Sequence, residues 1–254
     1  MARHARILSE TGMYHIMFRG LNKQSIFSED RDYEKFIEIL TSVKNDANLQ
    51  IYAYCMMPNH VHLFVREAQK GDISNIMKRL LSHYAGWYNY KYERSGHLFS
   101  NRYKSIPVED DSYFLTLSRY IHKNPVKANL SESMQSYKYS SYSDYVNNSG
   151  GITDIDFLLD MLDTNREKAV KQFVQFSNSE CDGEDFEDRL RLKDITARVK
   201  IIQITGGIKP HEIRNLPKDE KRSILKKIIE ECNIEKATLA RLTGIHRSVL
   251  YRIK

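Results

Sequence analysis

The sequence predicts an α+β fold, and three observations carry that prediction. Four short stretches rich in aromatic and apolar residues are punctuated by Gly, Pro or Asn. Two longer segments with apolar residues at helical spacing lie between them, and beyond residue 154 the chain reads as helix. With 254 residues, 41% of them hydrophobic, the chain can bury a real core and lacks the composition of a disordered protein.

Residues 13–19 (Met-Tyr-His-Ile-Met-Phe-Arg) read as the first strand, ended by Gly20. Ser28 and Asp30 offer N-cap chemistry, and Tyr33, Phe36, Ile37 and Leu40 then predict a helix over about residues 30–46. Residues 50–56 and 60–66 read as two strands joined by the turn chemistry of Pro58-Asn59, hence a hairpin. Gly71-Asp72 opens a long helix carrying Ile73, Ile76, Met77, Leu80, Leu81, Tyr84 and Trp87, which ends near Gly96. Residues 97–108 look extended, and a helix then runs from Asp110 or Asp111 to about residue 122, stopped by Asn124-Pro125. The order β-α-β-β-α-β is the split βαβ, ferredoxin-like arrangement of an antiparallel sheet. Asn147-Asn-Ser-Gly-Gly151 reads as a break, residues 154–176 as helix, and the acidic run Glu180–Asp188 as a second break. Three parts are therefore expected: a front domain over 1–147, an acidic helical connector over 148–190, and an all-α domain over 191–254.

Charge follows the same partition. The net +6 of the chain divides into +5 over residues 1–130, −9 over 131–188 and +10 over 189–254. Two basic blocks around an acidic connector point to two modules that each meet a polyanion. Fifteen of the sixteen tyrosines lie before residue 146. No run has the ~18 apolar residues of a membrane span. The first residues lack the apolar core of a secretory signal, so no membrane partner and a cytoplasmic location are expected. The three cysteines, Cys55, Cys181 and Cys232, are too scattered for a thiolate metal site or a disulfide framework.

The sharpest local signal is Met57-Pro-Asn-His60-Val-His62-Leu-Phe-Val-Arg66. Residues two apart on a strand share a face, so His60 and His62 project together while Val61, Leu63 and Val65 face the other way. Two adjacent imidazoles can form half of a metal site; the alternative is a chance pair on a solvated sheet face.

Four stretches occur here in an order that resembles the single-tyrosine HUH transposases, above all the REP-associated tyrosine transposases. They are Phe18-Arg19-Gly20, Met57–Val65, Gly96-His-Leu-Phe-Ser-Asn-Arg102-Tyr103 and Arg119-Tyr120-Ile-His-Lys-Asn124-Pro125. The likeness spans about residues 10–145. It implies that His60 and His62 bind a divalent ion (Mg²⁺ or Mn²⁺) and that Tyr120 is the nucleophile. Such chemistry requires charge neutralisation on a phosphodiester and an in-line attacking oxygen. The family often carries a third polar ligand one turn beyond its tyrosine; Asn124 stands at the matching place, the alternative being a helix-terminating Asn. His122, two residues from Tyr120, should point elsewhere, towards the surface or DNA. Tyr103 and Tyr113 are rival nucleophiles, Tyr103 reading better as a packing or stacking residue.

Arg19, Arg66, Arg102, Lys104, Arg119 and Lys123 flank these motifs as candidate phosphate contacts. The tail from Glu235 has a helix-turn-helix pattern. Leu239, Ala240 and Leu242 pack its first helix, Gly244 forms the turn, and Ile245, Val249, Leu250 and Ile253 pack the second. His246, Arg247, Ser248, Tyr251 and Arg252 are then left for DNA. This tail resembles the DNA-binding tail of bacterial replication initiators; the alternative is a packing hairpin with a basic face. The expected activity is nicking and rejoining of single-stranded DNA at hairpin-forming repeats through a 5′-phosphotyrosine, by a monomer or homodimer. The competing readings are a DNA-binding regulator on the same fold and a water-using metallonuclease.

Overall fold

The computed structural model describes residues 8–100, 102–109, 111–179, 197–232, 234 and 236–253. Four strands, β1 (Met13–Arg19), β2 (Gln50–Met57), β3 (His60–Arg66) and β4 (Lys104–Pro107), form one sheet in the order β2-β3-β1-β4. Every neighbouring pair is antiparallel, and Met57 faces His60 across the Pro58-Asn59 turn. This is the expected ferredoxin-like arrangement, although the last strand is shorter than the extended stretch read from sequence.

Alternation along the strands sorts the two faces of the sheet. Tyr14, Ile16, Phe18, Val61, Leu63 and Val65 are buried in a core with Phe36, Leu40, Ile76, Leu80 and Tyr84. The last five belong to helices α1 (Asp30–Ala47) and α2 (Ile73–Lys91), which therefore cover that face. Helix α1 is capped by Glu29 and not by Ser28 or Asp30: the buried Asp32 carboxylate accepts from the N–H groups of Ser28 at 2.7 Å and Glu29 at 3.2 Å. Helix α2 is held at its start by buried Glu67, which accepts from Gly71 N–H at 2.9 Å and Ile73 N–H at 2.6 Å. Caps of this kind contribute about 1 kcal/mol each.

The opposite face receives helix α3 (Asp111–Lys127), whose Phe114 meets Phe64 and Tyr52 at ring-centroid distances of 4.5 Å and 4.9 Å. The helix does not stop at Asn124-Pro125. Proline removes a hydrogen-bond donor, a loss that the last turn of a helix tolerates better than the interior, and Leu130 N–H closes on the Pro125 carbonyl at 2.9 Å.

Residues Leu8–Glu180 form one compact unit. Helices α4 (Tyr142–Val146), α5 (Asp156–Leu162) and α6 (Arg166–Asn178) follow the sheet, α5 and α6 replacing the single helix read over 154–176. Strand β2 is at the sheet edge, and its polar backbone finds partners here. Asp154 exchanges hydrogen bonds with Ile51, and Tyr145 donates to the Tyr52 carbonyl at 2.6 Å. Tyr145 also stacks on Phe173 of α6 at 4.5 Å. The acidic run Glu180–Asp188 lies outside the described residues.

The second unit runs from Cys181 to Lys254, together with the first seven residues. Its described helices are α7 (197–204), α8 (Lys218–Glu231), α9 (Lys236–Thr243) and α10 (Arg247–Tyr251). Ile201, Ile213, Leu225, Ile228, Leu239, Leu242 and Leu250 make its core. Gly244, at φ 71°, allows the turn between α9 and α10. Val249 does not pack as expected: it is 45% exposed, because the neighbouring Leu250, about 100° further round the helix, takes the buried position.

Candidate active site

The sheet face under α3 presents the histidine pair. Across the two central strands Arg19 stands opposite His60, Met17 opposite His62 and His15 opposite Phe64; on the edge strand Lys104 stands opposite Met17. His15, His60, His62, Arg19 and Lys104 therefore share one face. The rings of His60 and His62 are 5.2 Å apart at 75°, and those of His15 and His62 are 5.3 Å apart and nearly parallel. His15 Nε2 lies 3.0 Å from His62 Nδ1, and His60 Nδ1 lies 2.6 Å from Asn59 Oδ1.

Tyr120, in the middle of α3, completes the group. Its ring stands edge-on to His62 at 5.7 Å and to His15 at 6.0 Å, all within one chain. Lys127, two turns further along, places its ammonium 5.6 Å from the Tyr120 ring centre. Burial holds the His62 imidazole well below its ordinary pKa of 6.5, with His15, His60 and Lys104 adding to the effect. Burial likewise holds His15 down at about 3, helped by Lys104. Both rings are thus neutral near pH 7, the state a metal-ligating imidazole requires. Among the described residues no group of three or more His, Cys, Asp and Glu side chains could hold a metal ion. The pair needs ligands of another kind.

The expected site residues divide clearly. His60, His62 and Tyr120 come together, with Arg19 and Lys104 beside them. Arg66 does not: it lies six residues along β3 from His60, about 20 Å away. Asn124 is half-buried and its amide nitrogen donates to the Tyr120 carbonyl at 2.9 Å. Arg102 is exposed just ahead of β4. Arg119 and Lys123 are turned to another task. The Arg119 guanidinium donates to Ser179 Oγ at 2.8 Å and lies 4.3 Å over the Phe176 ring, while Lys123 Nζ donates to the Ser179 carbonyl at 2.7 Å. His122 is a correction too, being fully buried with Nε2 2.8 Å from Ser141 Oγ. Tyr103 is buried, its hydroxyl 3.4 Å from the Ile73 carbonyl, and the side chain of Tyr113 lies outside the described residues.

In the second unit His246 caps α10 by accepting from Ser248 N–H at 3.3 Å. His246, Ser248, Tyr251 and Arg252 are exposed; the Arg247 side chain lies outside the described residues. Sequence reasoning missed His15, Asn59 and Lys127. The period-two alternation of β1 puts His15 on the same face as Arg19, which was a usable signal; its proximity to His62 depends on strand register.

Residues 9–124 match the family model described as IS200-like transposase. The fold is similar to the solved structure of a REP-associated tyrosine transposase bound to a REP hairpin. That similarity has a TM-score of 0.51 at 18% identity and covers 61% of this chain and 90% of that one. A suspected transposase from Deinococcus radiodurans R1 aligns at 15% identity over 59% of this chain and 96% of that chain, with a TM-score of 0.34, too low to bear on the fold. No curated protein matches the chain. No described helix is long and apolar enough to cross a membrane.

Proposed function

We propose that the front unit nicks and rejoins single-stranded DNA through a tyrosine-linked intermediate. One observation carries this reading: the Tyr120 ring packs against His62 and His15 on the face that also holds His60. Tyr120 Oη forms a bond to phosphorus as the bond from phosphorus to the 3′ oxygen breaks, giving a 5′-phosphotyrosine and a 3′-hydroxyl. The proton lost by Oη balances the one taken up by the 3′ oxygen. Because the phosphodiester is exchanged and not hydrolysed, a second 3′-hydroxyl can reverse the step and join a new strand.

Two neutral imidazoles side by side suit a divalent ion, Mg²⁺ or Mn²⁺, with Asn124 Oδ1 as a third protein ligand. Bound there, such an ion supplies charge neutralisation at the non-bridging phosphate oxygens. Arg19, Arg102 and Lys104 hold the flanking phosphates, and the Lys127 ammonium lies over the Tyr120 ring. Arg119 and Lys123 fasten the tyrosine helix instead of gripping DNA. The substrate is a hairpin-forming repeat, a reading supported by the REP hairpin bound to the similar protein. His246, Arg247, Ser248, Tyr251 and Arg252 of the tail contact its duplex part.

The test uses labelled single-stranded DNA carrying a hairpin repeat, with Mg²⁺ or Mn²⁺. A denaturant-resistant protein–DNA adduct is expected, and it should vanish in Tyr120→Phe. Cleavage that persists in Tyr120→Phe removes the nucleophile and favours a water-using nuclease. Binding without cleavage under both metals favours a regulator.

A further inference from the structure

We propose that Asn59 and His15 are positioning residues that fix the tautomers of the histidine pair, so that both imidazoles turn Nε2 to the ion. This rests on the metal-binding role proposed for His60 and His62.

The argument for His60 begins in the loop after β1. Asn22 and Lys23 adopt left-handed conformations at φ 52° and 62°, and Gly20 is pressed so close to Gln24 that a Cβ there would lie 2.1 Å from its carbonyl oxygen. The compact loop is pinned to the hairpin turn: Gly20 N–H donates to the Asn59 carbonyl at 2.9 Å and Ile26 N–H to the Pro58 carbonyl at 2.7 Å. The Lys23 carbonyl is thereby aimed at the Asn59 side chain, 3.5 Å from its amide nitrogen. The amide nitrogen turned to the Lys23 carbonyl leaves Oδ1 as the atom that faces His60. A carboxamide oxygen only accepts, and it stands 2.6 Å from His60 Nδ1. His60 Nδ1 therefore carries the proton, and Nε2 keeps its lone pair.

His62 meets a different partner and is assigned the same tautomer. One proton lies between His62 Nδ1 and His15 Nε2, 3.0 Å apart in nearly parallel rings. Only when His62 supplies that proton does its own Nε2 retain a lone pair for an ion. His15 is fully buried, held in β1 opposite Phe64 and Ile106, so its ring is fixed beside His62. Partners of this kind orient metal-ligating histidines in general, and losing one costs about 10–100-fold in metal affinity.

The experiment measures Mn²⁺ affinity of the full-length protein by calorimetry, without DNA. Asn59→Ala should bind Mn²⁺ about 10–100-fold more weakly than the parent. Asn59→Asp, which keeps an accepting oxygen, should stay close to it. Long-range proton–nitrogen correlation spectra of the metal-free parent should show both His60 and His62 as Nδ1–H tautomers, and the His62 signal tests His15 without emptying a buried site. Parent-like Mn²⁺ affinity in Asn59→Ala, or an Nε2–H tautomer at either histidine, overturns the proposal. His60→Ala separates the two levels. If it abolishes Mn²⁺ binding while Asn59→Ala does not weaken it, positioning fails and the metal reading survives; if His60→Ala binds like the parent, both fail.

Discussion

His122 shows how far one side chain's surroundings can override its sequence neighbourhood. It lies two residues from Tyr120, in a basic stretch that suggests the surface. Yet it is enclosed by the rings of Tyr142, Tyr145 and Phe173 at 5.6–5.9 Å, and its Nδ1 has no hydrogen-bond partner. Burial pushes its pKa down to about 3 from the ordinary 6.5. The unfolded chain takes up this proton below about pH 6.5 and the folded one refuses it until about pH 3. The stabilisation is complete above the upper value and lost as pH falls through the window. Between pH 7 and pH 5 the loss from this group is about 2 kcal/mol. His122→Gln should therefore lose about 2 kcal/mol less than the parent over that interval, as read from urea unfolding at the two pH values. An unchanged pH slope would mean that the imidazole is protonated in the folded state. At this scale the sequence disclosed His60, His62 and Tyr120 because their pattern is local. It concealed His15, whose meeting with His62 spans 47 positions and is fixed only when β1 pairs with β3.

Helix α3 presents Tyr120, the proposed nucleophile, and what holds that helix decides where the tyrosine sits. Arg119 and Lys123 project to the C-terminal end of α6, where the helix dipole and the Ser179 carbonyl favour cations. The Phe176 ring adds a cation–π contact of about 0.5–2 kcal/mol. Arg119→Ala should slow adduct formation per bound complex while leaving metal-free single-strand affinity nearly unchanged, measured by gel shift alongside the adduct assay. The reverse pattern, weaker binding with an unchanged rate once bound, would return Arg119 to the phosphate contacts. Most elements were legible within a residue or two because alternation and caps mark them locally. Asn165 is instructive: its Oδ1 accepts from Lys168 N–H at 3.1 Å and starts α6, a cap visible in the sequence but hidden inside one long helical reading. Pro125 misled in the other direction, since a proline near a helix end interrupts less than one in the middle.

At the scale of the molecule, the chain divides into two compact units. Composition marks the Asn-Asn-Ser-Gly-Gly stretch as a break; Tyr145 before it and Asp154 after it both hydrogen-bond the β2 edge and hold this segment on the sheet. The second unit has a core of its own, as its apolar helical faces imply. The sheet order has a consequence for how the site responds to stress. The histidines stand on β1 and β3, which are flanked on both sides, whereas Lys104 lies on a four-residue strand paired along one side only. Local opening begins where hydrogen bonds are few and exposed. Amide exchange should therefore release β4 well before β1 and β3; equal protection of the three strands would contradict this. Lys104, proposed as one of the substrate contacts, then rides on the part of the sheet that yields first, while Arg19 and the histidines keep their places in the part that yields last.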